Sequence, residues 1–200
     1  MADEFRKTAA TGSPEEIRKA SSELELAEWR RTNRFCGCCG AEMKPHADAA
    51  ERAFVCPSCG YAAYPRIAPA VIALVTKGDK ALLQRNTHYK GAAWTLVAGF
   101  VDPGENLEEA VRREIREEAS IEVADIRYAG SQTWPYPSNI MIGFRAEYAE
   151  GELKPDGAEV VESGWFGRGN LPQIPQPGSI ARKMIDAWLA DCGGSARFPG

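Results

Sequence analysis

Gly99-Phe-Val-Asp-Pro-Gly-Glu105-Asn-Leu-Glu-Glu-Ala-Val-Arg-Arg113-Glu114-Ile-Arg-Glu117-Glu118-Ala-Ser120-Ile121 is the stretch on which the reading of this chain turns. Asn106 followed by Glu109 is a capping box, so the pattern predicts a helix from Leu107 to about Ala119. At 100° per residue, with Glu114 set at zero, Leu107 falls at roughly +20°, Ala110 at −40°, Val111 at +60° and Ile115 at +100°. Glu117 then lies at about −60° and Glu118 at about +40°, inside or beside the apolar sector. Glu108 and Glu109, at about +120° and −140°, point where solvent is expected. A helix that merely solvates its charges would place none of them beside the apolar stripe. Three carboxylates crowded on that side repel one another unless a cation compensates. Hard oxygen ligands of this kind suit Mg2+ or Mn2+.

Working outward, Ala68–Val75 and Ala81–Arg85 read as two strands joined by a Lys77-Gly-Asp79 turn, and Trp94–Phe100 as a third. Ile126–Thr133, Ile140–Tyr148 and Val160–Phe166 read as further strands. A last helix starts after Ser179 and presents Ile180, Ala181, Met184, Ile185, Trp188 and Leu189 on one face. Strands interleaved with two helices predict an α/β (α+β) domain. Towards the N-terminus, Ser13-Pro14-Glu-Glu16 starts a helix that runs to about Arg31, while residues 1–12 and 193–200 read as disordered tails.

Five of the six cysteines lie between positions 36 and 59. Cys36 and Cys39 are separated by two residues, as are Cys56 and Cys59, and each pair is followed directly by Gly40 or Gly60. Two such knuckles aim four thiolates at one tetrahedral ion, the spacing of a zinc site. Four thiolates leave no open position for water, so such a zinc is structural. Two disulfides are the competing reading. Cys38 is surplus, as spectator, alternative ligand or reactive thiol, and Cys192 reads as an ordinary thiol.

The 200 residues carry 24 Lys and Arg against 28 Asp and Glu, a net charge of −4, without the cationic excess of a general nucleic-acid binder. The cysteine module itself sets Arg34, Lys44, Arg52 and Arg66 against Glu42, Asp48 and Glu51, too even for a dedicated nucleic-acid face. No apolar run approaches the ~20 residues that span a bilayer, and no signal core opens the chain, which predicts a cytoplasmic protein whose cysteines serve metal rather than disulfides.

The acidic stretch resembles the Nudix box, the signature of the Nudix hydrolases, at Gly99, Glu105, Arg113, Glu114, Ile115, Glu117, Glu118 and Ile121. Ser120 stands where that pattern has Gly, which would favour a left-handed helix end, so a shifted terminus is an expected consequence. A zinc ribbon before the box, and Ser131-Gln-Thr133-Trp134-Pro-Tyr136-Pro-Ser-Asn139 after it, are similar to the NADH pyrophosphatase subfamily, with Thr133, Tyr136 and Asn139 replacing its Pro, Phe and Ser. The resemblance spans roughly residues 29–190; that subfamily usually has a longer N-terminal domain, so residues 1–32 read as a reduced one.

The resemblance implies a Nudix fold, a mixed sheet sandwiched between helices, over residues 66–192, with the ribbon at 33–65. It implies hydrolysis of a dinucleotide pyrophosphate, NAD(H) giving nicotinamide mononucleotide and AMP, with NAD-capped RNA also conceivable. ADP-ribose and other nucleoside diphosphate derivatives are the alternative, and a non-catalytic ribbon protein with a degenerate domain the third reading. Glu114, Glu117 and Glu118 are the expected ligands of Mg2+ or Mn2+, one of them serving as base. Glu159 is the expected fourth ligand, with Glu162 competing; Arg113 orients a carboxylate and Glu105 supports it. Phe100 and Tyr64 hold the base, Gln132, Trp134 and Met141 line the pocket, and a homodimer is implied in which Ala181 lends a backbone contact to the neighbouring site.

Overall fold

The computed structural model describes residues 2–48, 50–87 and 93–191. In chain order the elements are α1 (Ala2–Thr11), α2 (Pro14–Thr32), β1 (Lys44–Pro45), β2 (Phe54–Val55), β3 (Ala62–Ala63), β4 (Ala68–Lys77), β5 (Lys80–Asn86), β6 (Val97–Phe100), α3 (Leu107–Ala119), β7 (Ile121–Trp134), β8 (Asn139–Gly151), β9 (Val160–Gly167) and α4 (Ile180–Ala190).

The main sheet runs β7-β8-β4-β5-β9, with β6 paired to β4. β4 and β8 are parallel and every other pairing is antiparallel, so the sheet is mixed, as expected. β4 explains the architecture. Its apolar run is buried on both faces: Val71, Ala73 and Val75 pack with Ala110, Val111 and Ile115 of α3, whereas Ile72 and Leu74 pack with Ile180, Met184 and Ile185 of α4. Gly143 on β8 lets α4 lie close, since a Cβ there would come within 2.9 Å of the Met184 sulfur.

The ribbon is a three-stranded antiparallel sheet, β1-β2-β3, each strand only two residues long. α2 starts on the expected capping box, with the Ser13 amide donating to Glu16 at 2.7 Å. In its last turns Trp29 meets Phe54 at 4.6 Å ring to ring, so the helix closes the ribbon's small core of Cys36, Met43, Cys56 and Ala63.

Four expectations need correction. Residues 2–11 form α1 rather than a disordered tail, because Phe5 and Ala9 sit one turn apart and are buried. Strand β6 begins at Val97, not Trp94: the Trp94 amide donates to Gln173 O and its ring packs on Phe166, while Thr95 makes an isolated bridge to Gln84. β7 reaches back to Ile121; bulges near Glu122 and Ala124, with Asp125 at φ 49°, break the alternation that hid this half of the strand. Finally, α3 ends where the pattern placed it, because Ser120 itself adopts the left-handed conformation at φ 59°, ψ 29°. That conformation costs a non-glycine residue about 1–2 kcal/mol, so Ser120→Gly should raise unfolding free energy by roughly 0.5–1 kcal/mol, read by urea denaturation. The tail at 193–200 and Cys192 lie outside the described residues.

Candidate active site

The loop Gly99–Asn106 and helix α3 are tied together by Arg113. Its Nε and Nη2 donate to the two oxygens of Glu105 at 2.6 and 2.9 Å. Nη2 also donates to the Phe100 carbonyl at 2.8 Å, and Nη1 to Glu114 at 2.8 Å and Glu117 at 3.2 Å. These are five bonds from a group with five N–H donors, so the guanidinium is engaged by the protein's own acceptors. Arg113 holds the Glu105 carboxyl down to about 2, and the Asp102 amide adds to this.

The other acids sit differently. Glu114 is buried, which pushes its carboxyl up; Arg113 pulls it down, and the charges of Glu117 and Glu159 push it up again. Glu118 is 5% exposed, and burial drives its carboxyl to about 7, against a hydrogen bond from Gln84 Nε2 and with the charges of Glu114, Glu159 and Asp156. Glu117 is exposed. A Cβ at Gly99 would collide with the Glu114 carboxyl group, so this acid lies directly over β6 and needs glycine there. Buried acids held toward the neutral form, Glu118 without a cationic partner of its own, are a donor set that suits a hard divalent ion.

Glu159 and Glu162 part ways. The charge of Glu159 reaches both Glu114 and Glu118, and Asp156 caps its turn by accepting from the amides of Ala158, Glu159 and Val160. Glu162 is bound by Arg85 at 2.6 Å. Among the described residues only the four cysteine sulfurs meet, all within 4.8 Å of one another; the glutamate carboxyls stand wider, with Arg113 between Glu105, Glu114 and Glu117.

At the cysteines, the Cys36 and Cys59 sulfurs lie 3.7 Å apart, and those of Cys39 and Cys56 3.5 Å. Gly40 and Gly60 turn each knuckle at φ 77° and 75°, donating to the carbonyls of Cys36 and Cys56. The Cys59 amide holds the Cys56 thiol down to about 6. The Tyr61 amide pulls Cys59 down, but the Cys56, Cys39 and Cys36 sulfurs outweigh it and push that thiol up to about 12. Four sulfurs at these distances cannot all ionise without a cation, and the set fits a tetrathiolate site.

Three of the expected base-binding residues, Gln132, Met141 and Phe100, fall in one row. Gln132 is paired with Met141, Met141 with Ala70, and Ala70 with Phe100, across β7, β8, β4 and β6. Partners directly opposite share a sheet face. Phe100 and Tyr64 are each 53% exposed, flat rings open to a ligand. Trp134 is half-buried and meets Phe5 and Tyr136 edge-on. Ala181, in the first turn of α4, is buried against the core. The sequence reading missed Gln84, which is fully buried and donates to Glu118; its only signal was a lone amide inside the apolar run of β5.

Comparison with known proteins agrees with this geometry. The NUDIX domain pattern matches residues 66–188, more than half of the chain, which therefore belongs to the NUDIX family. The chain is 45% identical over 178 residues to a Pseudomonas aeruginosa protein named NAD-capped RNA hydrolase NudC, covering 88% of this chain and 63% of that protein. It is 42% identical over 169 residues to the Pectobacterium carotovorum protein of the same name, covering 84% and 64%. It thus spans under two thirds of the curated relatives it matches. Among solved structures, a NUDIX hydrolase from Nitrosomonas europaea superposes with TM-score 0.67 at 26% identity, over 80% of this chain and 92% of that one. An ADP-ribose pyrophosphatase from Streptococcus suis, at 21% identity and TM-score 0.53 over 66% and 96%, shares the fold.

Proposed function

We propose that the chain hydrolyses the pyrophosphate bond of NAD(H), water adding across P–O–P to give nicotinamide mononucleotide and AMP. The observation that carries this reading is the acidic face of α3: Glu114 and Glu118 are buried and held by Arg113 and Gln84, and Glu114 lies over Gly99, the residue before the exposed Phe100. Glu114, Glu117, Glu118 and Glu159 would hold Mg2+ or Mn2+, which when bound neutralises phosphate charge and makes water more acidic. Arg113 fixes the loop and Glu114 rather than gripping substrate, and Glu105 serves Arg113. Glu118, buried and held by Gln84, is the acid best placed to accept a proton from the attacking water. Phe100 and Tyr64 offer the faces on which a base stacks.

Relatives named NAD-capped RNA hydrolases support a substrate with this same pyrophosphate. The departures Thr133 and Asn139 do not argue for another substrate, since both are consumed inside the protein: Thr133 bonds to Glu25 and Asn139 donates to the Tyr136 carbonyl. Zn2+ in the ribbon, a homodimer and a cytoplasmic location complete the reading. Among the described residues no helix is long and apolar enough to cross a membrane. The test is a panel of NADH, NAD+, ADP-ribose, a dNTP and an NAD-capped oligonucleotide with Mn2+, scored by kcat/KM. NADH or the capped RNA should lead. A preference for ADP-ribose or the dNTP of about tenfold or more would overturn the reading.

A further inference from the structure

We propose that the N-terminal hairpin α1–α2 is a wall of the nucleotide pocket, holding Gln132 and the Trp134–Pro137 turn in the position that receives the base. This rests on the pyrophosphatase reading only in naming the ligand. Three successive residues of β7 are each tied to the hairpin. Gln132 is 8% exposed, and its Nε2 donates to the Gly178 carbonyl at 2.7 Å. Gly178 in turn lies against α1: a Cβ there would fall 2.8 Å from the Ala10 nitrogen and 3.0 Å from the Arg6 carbonyl oxygen. Thr133 Oγ1 stands 2.6 Å from Ser21 Oγ and donates to Glu25 at 2.8 Å, both on α2. Trp134 takes Phe5 edge-on at 6.1 Å, and Phe5 also meets Tyr136 at 6.0 Å.

A helix that only covered the core would have no reason to converge on these positions. Phe5 is 2% exposed, so the contact is a packed one. The consequence reaches the ligand through Gln132. Its Oε1 is buried without a hydrogen-bond partner among the described residues, and an unmet buried acceptor is costly. Gln132 heads the row that leads through Met141 and Ala70 to Phe100. An exocyclic amino or carboxamide N–H of a base lying along this row is the donor this oxygen lacks. α1 fixes Gly178, the Gly178 carbonyl fixes the Gln132 amide through its Nε2, and the single Oε1 left over meets the base. Phe5 is therefore a positioning residue.

The test compares Phe5→Ala, Phe5→Leu and Gly178→Ala in the full chain. KM for NADH should rise roughly tenfold in Phe5→Ala while kcat stays within about threefold, and Phe5→Leu should restore KM most of the way. AMP binding, followed by calorimetry without metal, should weaken by a similar factor, which reads the wall even if NADH is not turned over. Failure of wild-type turnover alone would fell the pyrophosphatase reading and leave this comparison standing. If Phe5→Ala does not fold, Gly178→Ala decides, because it displaces α1 without removing apolar surface. Unchanged KM and AMP affinity would overturn the proposal, as would a gain in kcat/KM, which would make α1 a cover rather than a wall.

Discussion

Glu118→Gln should lower kcat by on the order of 10²–10³-fold, with KM moving far less, in the Mn2+-dependent hydrolysis of NADH. The substitution keeps the volume of a side chain that is 5% exposed, so lost packing does not account for such an effect. Gln84 tolerates the change: its unpartnered Oε1 can accept from the new amide once its own amide turns over. What disappears is the charge and the proton acceptor. The stability of the metal-free protein should move the opposite way. Burial raises the folded carboxyl from 4.5 to about 7, so its favourable contribution is complete below pH 4.5 and is lost as pH climbs through 7. Near pH 8 the variant should therefore be more stable to unfolding than wild type by on the order of a few kcal/mol, with a correspondingly higher melting temperature, and the gap should close toward pH 5. Adding Mn2+ to wild type should narrow the same gap. A variant that keeps activity within tenfold, or a melting difference that grows as pH falls, would remove Glu118 from the role given to it.

Replacing Cys56 by Ser should abolish tight zinc binding and unfold the ribbon while the NUDIX sheet keeps its structure. The wild-type chain should carry one zinc, which a strong chelator removes only on unfolding. Three strands of two residues each cannot sustain a fold of their own, and among the described residues the small core's buried side chains are Trp29, Met43 and Ala63 besides two of the cysteines, with Ala41 and Phe54 packed against them. Metal binding in comparable structural sites contributes about 10–16 kcal/mol of apparent free energy at neutral pH, more than such a core supplies. Trp29 provides the readout, because loss of its contact with Phe54 exposes the indole and shifts its emission to the red. Intramolecular disulfides with no zinc in the native protein would reject the assignment.

Much of the fold was legible because its signals are local. The capping boxes at Ser13 and Asn106 fixed two helix starts, and the apolar stripe from Ile180 fixed a third. The doubly buried β4 announced itself as an unbroken apolar run. Where local chemistry is silent, the reading fell short. α1 has few apolar residues, and Phe5 is buried only because Trp134 and Tyr136 wait for it far along the chain. The first half of β7 was lost to a bulge that admits Asp125. In the site, helical phase gave the buried positions of Glu114 and Glu118 but not the exposed Glu117, and Glu159 and Glu162 are told apart only by tertiary neighbours. Gln84 could not be linked to Glu118 from spacing, since the two lie 34 residues apart and meet only across the folded sheet.

Helix α3 is fastened at both ends, by the Asn106–Glu109 box and by the left-handed Ser120. Its thirteen residues are therefore a ruler of fixed length. One residue gained or lost inside the ruler turns everything beyond it by about 100° and swings Glu117 and Glu118 away from Glu114. Whatever else is exchanged along this helix, it is not free to change its count.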